Sequence, residues 1–509
     1  MKRLLSIFAV AMLVLSAMTA SAQSRTSYFM EGSYFRTDLN PALAPTRGYI
    51  ALPVIGGIGI DVPNNFLSVD NFIYQKDSEM VTALHSSVTP NEFLGKLPDV
   101  GRLGVNANVN LLGVGFYTGK LYWNFGARLR SITDITMSKD VFSALKTLGN
   151  GTYNLGDTGI NSNNYLEAYF GTSIPIGKHV NIGARAKFLV GLLNLHTEFD
   201  ELKANVAPER ISAQLRGRIV ANSIVIDQAM IKPGDELSMD MLSYTDVNAL
   251  LNRAKSFGAA IDLGVELKFF KNHLKVSAAV TDLGFIKWNP TTNYSASASA
   301  DFAFEGFTFD ENFKVNDPFS DAKFEFQTDS PSREAYKTML NGALNVGLEF
   351  NFLRNHFALG VMSHTEMYNN RPYSELTASL NIRPNSWITA TVSHTFLENN
   401  GMSVYGAALN LHPRALNIFV GVDFFDTQYG RYGEIPVPRY QNSVNVYAGI
   451  GFNFARPKFI RDAVKQARVE RREAREVRKE KKEQKEQVRQ QAKKQAKQQA
   501  KQAKKIKKR

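Results

Sequence analysis

Residues 444–454 read Val-Asn-Val-Tyr-Ala-Gly-Ile-Gly-Phe-Asn-Phe, and every second residue from Val444 to Phe454 is apolar. Because successive side chains of a β-strand point to opposite faces, this alternation predicts a strand with one apolar and one more polar face. The stretch is also about as long as the 9–11 residues that cross a bilayer at a tilt. It therefore predicts a half-apolar strand of membrane-spanning length.

The same period of two recurs along the chain, for example in residues 105–111, 121–130 and 261–269. The face opposite the apolar one carries amides and charges of both signs, which predicts a mixed polar interior without simple anion or cation selectivity. We expect the following side chains to point into that interior: Asn106, Asn108, Arg128, Arg185, Lys187, Asp262, Glu266 and Lys268.

The first residues predict export. Lys2 and Arg3 precede an apolar stretch, Leu4 to Ala17, and Ala20-Ser21-Ala22 follows it. This arrangement is typical of a secretory signal peptide, residues 1–22, that is removed before Gln23. A membrane anchor is the alternative, but the apolar stretch is shorter than the ~20 residues of a spanning helix. The chain has no Cys, which excludes disulfides and thiolate sites.

A soluble β-sandwich would show the same alternation with its apolar face inward. Export, strand length and the connections favour a membrane barrel instead, because short turns and long loops alternate. The short turns lie near 118–120, 177–179, 271–272, 354–355, 383–385 and 412–414. The long loops cover roughly 63–100, 134–162, 200–255, 289–340, 365–372, 398–401 and 426–439.

Thirteen connections predict an all-β fold, a single antiparallel transmembrane β-barrel of about 14 strands over residues 47–455. An even number of strands places both termini in the periplasm of a Gram-negative bacterium. Residues 294–309 also alternate, and either project past the membrane as a strand or add a strand to the barrel; together with residues 206–227 they leave the strand count open. Thr245 to Ala254 and Lys139 to Leu148 have the pattern of short loop helices. The predicted strands begin near 47, 102, 120, 164, 179, 256, 273, 341, 356, 373, 386, 402, 415 and 441.

The last predicted strand resembles the signal by which the barrel-assembly machinery recognises its clients. That signal has a polar residue, a Gly two positions later and alternating aromatic residues near its end. Here these places are filled by Tyr447, Gly449, Phe452 and Phe454. The resemblance implies that the assembly machinery is a partner, although this chain continues beyond Phe454 where many such signals end the protein.

The mature N-terminal region resembles that of the FadL-like family, the long-chain fatty-acid transporters of the outer membrane. In that family a segment before a 14-stranded barrel folds into the lumen as a hatch and commonly contains Asn-Pro-Ala. Here Asn40, Pro41 and Ala42 stand shortly before the first predicted strand. An ordinary turn before a strand is the alternative interpretation of Asn-Pro. Thr281-Asp282-Leu283-Gly284 and the overall layout also resemble an uncharacterised family of such barrels.

The resemblance implies that residues 23–46 form a lumen hatch and that the protein transports small hydrophobic or amphipathic molecules. Fold does not fix function, so a second hypothesis remains: a structural or interaction barrel that binds the cell wall or secretion partners. We expect an apolar cavity behind the hatch under the first hypothesis, and a lumen packed with paired charges under the second.

Residues 456–509 differ abruptly from the rest of the chain. They carry 23 Lys or Arg and 7 Asp or Glu, a net charge of +16, whereas residues 23–455 are mildly acidic. Strong helix formers dominate after Pro457 and predict a solvated helical tail in the periplasm. A bland charged extension is one interpretation, and binding to peptidoglycan or anionic lipid is the other. Because export separates the protein from nucleic acid, we expect no nucleic-acid partner.

The sequence predicts no enzyme. The eight His residues include Ser363-His364-Thr365 and Ser393-His394-Thr395, but adjacent Ser and His in a strand point to opposite faces and cannot act as nucleophile and base together. No metal-ligand spacing or nucleotide fingerprint is present, so we expect no catalytic residue, metal or cofactor. The expected surroundings are outer-membrane lipid and, under the first hypothesis, a hydrophobic ligand.

Overall fold

The fold is described from a computed structural model of the chain. Residues 1–24, which include the predicted signal peptide, lie outside the described residues, and so does most of the predicted loop helix at 245–254. The structure describes residues 25–76, 79–147, 151–207, 210–224, 252–304, 323–328, 335–368, 371–397, 403–425, 429–432, 435–438, 443–454 and 456–506.

Fourteen strands, here β1–β14, form a closed antiparallel barrel, as the connections predict. The first strand, β1, has two pieces, Tyr49–Ala51 and Ile58–Val62. The others are β2 (Val100–Thr118), β3 (Leu121–Ser138), β4 (Gly159–Ile176), β5 (Val180–Ala207), β6 (Ser256–Phe269), β7 (Leu274–Trp288), β8 (Ala343–Phe352), β9 (Phe357–Tyr368), β10 (Arg371–Asn385), β11 (Ile388–Leu397), β12 (Ser403–Leu411), β13 (Leu416–Phe425) and β14 (Val444–Asn453).

The barrel closes between its first and last strands. Both pieces of β1 pair with β14, as in Ile50 with Phe452 and Ile60 with Val446, and with β2 on the other side. Closure leaves no unpaired edge in the wall, which a structure surrounded by lipid requires.

Apolar side chains cover the outside of the wall. Phe170, Phe188 and Val392 are more than half exposed, although each is apolar. A soluble sandwich would bury these groups, so the exposed face decides between the two β architectures in favour of the membrane barrel. Aromatic side chains gather near the short turns, where a bilayer interface is expected: Phe269, Phe270, Phe350, Trp387, Phe452 and Phe454.

The two ends of the barrel differ. Six tight turns join β2–β3, β4–β5, β6–β7, β8–β9, β10–β11 and β12–β13, and we call this the short-turn end. The opposite, long-loop end carries the other connections. There, a helix over Lys139–Thr147 occupies the position of the predicted Lys139–Leu148 helix. Two shorter helices, Val69–Phe72 and Pro90–Leu94, lie in the connection between β1 and β2, and a third, Arg36–Leu39, precedes β1.

The alternating segments that left the number of barrel strands open lie outside the barrel wall. Arg210–Ser223 pairs with the C-terminal part of β5. Asn293–Phe304 pairs with the other edge of Arg210–Ser223, and Lys323–Thr328 pairs with Asn293–Phe304. Short hairpins join Ile73–Lys76 to Glu79–Thr82 and Tyr429–Tyr432 to Ile435–Pro438. The alternating segments near 206–227 and 294–309 therefore extend β5 beyond the barrel without adding wall strands.

The tail is a separate unit that begins at Arg456. One helix runs through it from Lys458–Ile506. None of the helices in the described part of the chain is long and apolar enough to span a membrane.

Candidate functional site in the barrel lumen

Residues 25–46, here called the lumen segment, contact inward-facing side chains from many strands. Thr26 Oγ1 lies 2.6 Å from Ser393 Oγ of β11, and Tyr28 OH lies 3.0 Å from Ser277 Oγ of β7. Wall side chains also donate to its backbone, as Asn417 does to the carbonyl of Gly32 at 2.8 Å. A segment held by polar groups from opposite strands lies inside the barrel.

The Asn-Pro-Ala turn, formed by Asn40, Pro41 and Ala42, lies against the wall where two glycines face each other. The Asn40 side chain donates to Tyr28 OH at 3.2 Å and accepts from the backbone N–H of Ala42 at 2.9 Å. Gly183 of β5 pairs with Gly264 of β6. A Cβ atom at Gly183 would overlap with the backbone of Pro41, and one at Gly264 with the Asn40 amide oxygen. The glycine pair therefore makes room for the Asn-Pro-Ala turn.

Asp38 connects the lumen segment to two arginines of the wall. Its carboxylate lies 3.0 Å from Arg128 and 2.7 Å from Arg185. Both guanidinium groups also lie over the ring of Tyr169, at 4.5 and 4.7 Å from its centroid. Burial disfavours the carboxylate, but the two arginines outweigh it and lower the pKa of Asp38 to about 2. Asp38 is therefore charged at neutral pH.

The Asp38 contacts continue into a network of charges across β3 to β7. Lys187 contacts Asp262 at 2.7 Å and Asp282 at 2.6 Å, and Arg130 contacts Asp282 at 3.1 Å. Glu167 lies 3.0 Å from Arg128 and 3.4 Å from Arg130. This central network is balanced, with four cations and four carboxylates: Arg128, Arg130, Arg185, Lys187, Asp38, Glu167, Asp262 and Asp282.

Asp282 reaches the network because β7 bulges there. Two residues of β7, Thr281 and Asp282, occupy the space opposite Asp262, and Asp282 has a φ of 58°. Its backbone N–H donates to the Asp262 carboxylate at 2.8 Å. Asp tolerates this left-handed conformation better than most residues, which accounts for an Asp in the Thr281-Asp282-Leu283-Gly284 stretch.

A second balanced network lies closer to the short-turn end. Lys275 contacts Glu31 of the lumen segment and Glu349 of β8, and Arg383 also contacts Glu349. Arg383 donates to the carbonyl of Phe29 at 2.8 Å. Burial disfavours the Glu31 carboxylate, but Lys275 and Arg383 hold the pKa of Glu31 well below its usual range. Glu266 and Lys268 form a further pair at 3.0 Å.

The remaining predicted residues occupy different surroundings. Asn106 is buried and donates to Asp61 at 3.1 Å, while Asn108 lines a small cavity beside Arg128. Tyr447 of the final strand faces inward, where its ring lies against Gly421, and Gly449 faces the ring of Phe419. Phe452 and Phe454 are exposed on the outer face. Recognition of these four residues by the assembly machinery stays a prediction.

A cavity of about 1180 Å³ opens at the long-loop end. Its lining combines inward-facing polar groups, such as Asp282 and Thr338, with apolar groups of the outer face, such as Leu283 and Leu344. The short strand Tyr336–Met339 pairs with β7, and no described residue pairs with its other edge. Two much smaller cavities, of about 20 and 10 Å³, lie beside the lumen segment. The lumen is thus open at one end and filled further down.

Most partners in the charge networks were not singled out from the sequence. Asp38 and Glu31 precede the first strand, where no periodic pattern assigns them a direction. Arg130 stands two residues after Arg128 and shares its face, so strand parity is the signal that places it in the lumen. Nothing in the local sequence indicates that Asp282, on a bulge, meets Lys187 from another strand.

The histidine side chains of β9 and β11 have different surroundings. His364 Nδ1 lies 2.7 Å from Asn345 Oδ1, and the ring of His394 contacts Phe396 and Tyr405. Among the described residues, no group of three or more His, Asp or Glu side chains is arranged to hold a metal ion.

A family model described as a family of unknown function, DUF5723, matches residues 41–423. The chain belongs to the DUF5723 family. The match covers the barrel from Pro41 into β13, and it agrees with the uncharacterised family of barrels that the sequence resembles. No curated protein matches this DUF5723 chain significantly.

Several solved outer-membrane barrels are similar to this DUF5723 chain at low identity. The toluene transporter TbuX of Ralstonia pickettii is 9% identical over 86% of this chain and 99% of its own, with a TM-score of 0.39. A FadL homologue of Pseudomonas aeruginosa is 8% identical over 86% and 97%, with a TM-score of 0.39. The monoaromatic hydrocarbon channel CymD is 9% identical over 85% and 94%, with a TM-score of 0.38.

Proposed function

We propose that this protein transports small hydrophobic or amphipathic molecules across the outer membrane, with the lumen segment as its hatch. The observation that carries the proposal is the cavity at the long-loop end. Its volume, about 1180 Å³, exceeds that of a typical small-molecule site. Apolar and polar side chains share its lining, which suits a ligand that has both kinds of surface.

The cavity is accessible to an apolar molecule from two directions. It opens at the long-loop end, and its lining includes Leu283, Leu344 and Met367, which are also exposed on the outer face of the wall. Below it lie Asp282 and the central charge network, which a hydrophobic molecule could cross only at a high desolvation cost. Passage therefore requires a rearrangement of the lumen segment or exit through the side of the wall.

Transport by binding and release requires no catalytic residue. The buried His364 side chain is hydrogen-bonded to Asn345. Its neighbour Ser363 points to the opposite face of β9. The protein acts on its ligand by binding and release.

Binding in the cavity is tested with an environment-sensitive lipophilic fluorophore and the purified barrel in detergent. Met339 is 70% exposed and lines the cavity, so Met339→Ser removes apolar contact area with little effect on the fold. We expect a weaker Kd by roughly fivefold, which corresponds to about 1 kcal/mol. Leu353→Ser is the matched control, because Leu353 is similarly exposed but lies at the short-turn end.

Native mass spectrometry with lipid extraction then identifies what the protein carries from the membrane. A lipophile that is bound by the full chain and lost in Met339→Ser supports transport. An empty barrel, or equal loss in Met339→Ser and Leu353→Ser, contradicts it. Uptake of the identified lipophile by cells that produce the protein tests the transport step itself.

The second candidate function is structural: the protein would be a closed barrel that is anchored to the cell wall through its basic tail. The filled lower lumen favours it, and so does the tail, whose last part, residues 491–509, has nine Lys or Arg and no Asp or Glu. Sedimentation with purified peptidoglycan, compared with anionic vesicles, tests this function. A chain in which the Lys residues of 491–509 are replaced by Gln is the control. Equal sedimentation of both chains contradicts tail binding.

A further inference from the structure

Two lysines stand opposite each other on the outer face of the wall at the long-loop end. Lys287 of β7 pairs in register with Lys337 of the short strand Tyr336–Met339. Both lysine side chains are exposed, whereas the neighbouring Ile286 and Trp288 are fully buried on the inner side of the wall. Because side chains alternate along a strand, both ammonium groups are directed away from the lumen.

The two lysines repel each other. Like charges directly opposite each other destabilise a sheet, because their Cβ atoms are only about 4.5–5.5 Å apart. Among the described side chains, no carboxylate forms an ion pair with Lys287 or Lys337. A third exposed lysine, Lys255, precedes by two residues the outward-facing Phe257, which pairs in register with Lys287. Three cations therefore share one area of the outer face, which we call the lysine patch, and an anion bound there would relieve their repulsion.

The lysine patch lies at the border of the apolar outer surface. One step closer to the middle of the barrel, Phe285 pairs in register with Met339, and both side chains are exposed. The exposed rings of Phe188 and Phe257 stack beside them, with centroids 5.7 Å apart. The ammonium group of Lys337 lies 5.1 Å from the centroid of the Phe285 ring. Cations at the upper edge of such an apolar band lie at the level of the lipid head groups.

The backbone beside the lysine patch also favours a polar neighbour. Tyr336–Met339 pairs with β7, and no described residue pairs with its other edge. Acyl chains offer no hydrogen bonds to such an edge, whereas a lipid head group does. A phosphate group also combines negative charge with three strong acceptor oxygens, so one phosphate can form charge-assisted hydrogen bonds with Lys287 and Lys337 at once. The site therefore suits an anionic head group that has acyl chains attached.

We propose that the lysine patch binds the phosphate group of a membrane lipid, whose acyl chains lie along Phe257 and Phe285. The long loops of outer-membrane barrels face the outside of the cell, so the ligand is a phosphorylated glycolipid of the outer leaflet. The bound lipid stands beside the long-loop cavity, because Lys337 and Met339 also belong to the cavity lining. The inference does not depend on what the barrel transports.

The first test compares two forms of one lipid. The barrel is refolded without lipid in a neutral detergent and titrated with bisphosphorylated lipid A or with the same lipid after removal of its phosphates. Native mass spectrometry measures the bound fraction. We expect the phosphorylated form to bind about tenfold more tightly, and inorganic phosphate at the same concentration not to displace it. Equal affinity for the two forms, or displacement by inorganic phosphate, would overturn the proposal.

The second test removes the charges of the lysine patch. Lys287→Gln combined with Lys337→Gln keeps side chains of similar length, and we expect the affinity for phosphorylated lipid A to fall by on the order of tenfold. Lys120→Gln combined with Lys178→Gln is the matched control, because these two lysines are also exposed but lie at the short-turn end. The control should bind like the wild type. Equal affinities of the two double variants contradict the assignment of the site.

A charge reversal separates lipid binding from the stability of the barrel. Lys337→Glu places a carboxylate opposite Lys287, so the cross-strand repulsion becomes an attraction. We expect the lipid-free variant to melt at the wild-type temperature or above it, and its affinity for phosphorylated lipid A to fall by on the order of tenfold. Loss of binding without loss of stability supports a site for phosphate. Unchanged affinity in Lys337→Glu would overturn the proposal.

Discussion

The lower lumen and the long-loop cavity are parts of one barrel, yet they are built differently. In the lower lumen, side chains of Arg128, Arg185 and Lys187 are almost fully buried and each pairs with carboxylates. In the cavity, Met339 and Arg371 are largely solvent-accessible, and the Arg371–Asp157 pair is about half exposed. The difference teaches that the lower lumen is filled by buried polar contacts with the lumen segment, whereas the cavity at the long-loop end is lined by solvent-accessible side chains.

The largest effect is expected from deletion of the lumen segment. Deletion of residues 25–46 takes away Asp38, Glu31 and the backbone groups that the wall side chains bind, and leaves a water-accessible lumen. We expect large single-channel conductance in planar bilayers where the full chain has little. Deletion of the tail, residues 456–509, is the control and should leave conductance low. A closed barrel after deletion of 25–46 would show that the wall seals itself.

A smaller rise in conductance is expected from a substitution in the Gly183–Gly264 pair. Gly264→Ala introduces a Cβ that overlaps with the Asn40 amide oxygen, so either the lumen segment or the wall must move. We expect a loss of about 1–3 kcal/mol of stability, seen as a lower Tm, together with raised conductance.

Gly156→Ala provides the comparison for Gly264→Ala. A Cβ at Gly156 would meet the Asn154 side chain at 3.2 Å and nothing closer. Equal effects of the two substitutions would mean that contact between Asn-Pro-Ala and the wall contributes nothing particular to closure.

Asp38→Asn tests how much the buried charges contribute. The substitution leaves the central network with four cations and three carboxylates, although Arg128 keeps Glu167 at 3.0 Å. Because the Asp38 side chain is 27% exposed, we expect a loss of about 2 kcal/mol rather than the ~3–5 kcal/mol of a fully buried pair. Thermal unfolding in detergent measures it.

The same chemical change at the open end should matter less. Asp157→Asn breaks an exposed pair with Arg371 and should cost about 0–1 kcal/mol. If the two variants were equally stable, burial would not distinguish the two regions.

The last expected effect concerns pH, which changes the contribution of Asp38 alone. The pKa of Asp38 falls from its ordinary value of 3.8 to about 2 in the folded protein. Its stabilisation is therefore present above about pH 4 and is lost as the pH falls through about 2, by roughly 1–2 kcal/mol. The Tm difference between wild type and Asp38→Asn should shrink over that interval. A constant difference would show that the pKa of Asp38 does not differ between the folded and the unfolded states.

The periodic parts of the chain were predictable. Strand alternation and turn residues determine the 14 strands, because lipid outside and polar groups inside impose opposite requirements on alternate side chains. For the same reason the inward direction of Arg128, Arg185, Lys187 and Asp262 follows from parity. The strands near 206–227 and 294–309 alternate too, and alternation alone does not distinguish a wall strand from an extension of β5.

The sequence by itself thus determined the closed antiparallel barrel and the alternation of its two faces. Only the tertiary structure decided how that interior is filled: Asp38 between two arginines, Asp282 on a bulge, and the Asn-Pro-Ala turn against Gly183 and Gly264. The physical reason is the separation along the chain of the residues that interact. Alternation is a local property of each strand, whereas charge pairing and close packing join residues that are far apart in the chain and meet only when the barrel closes.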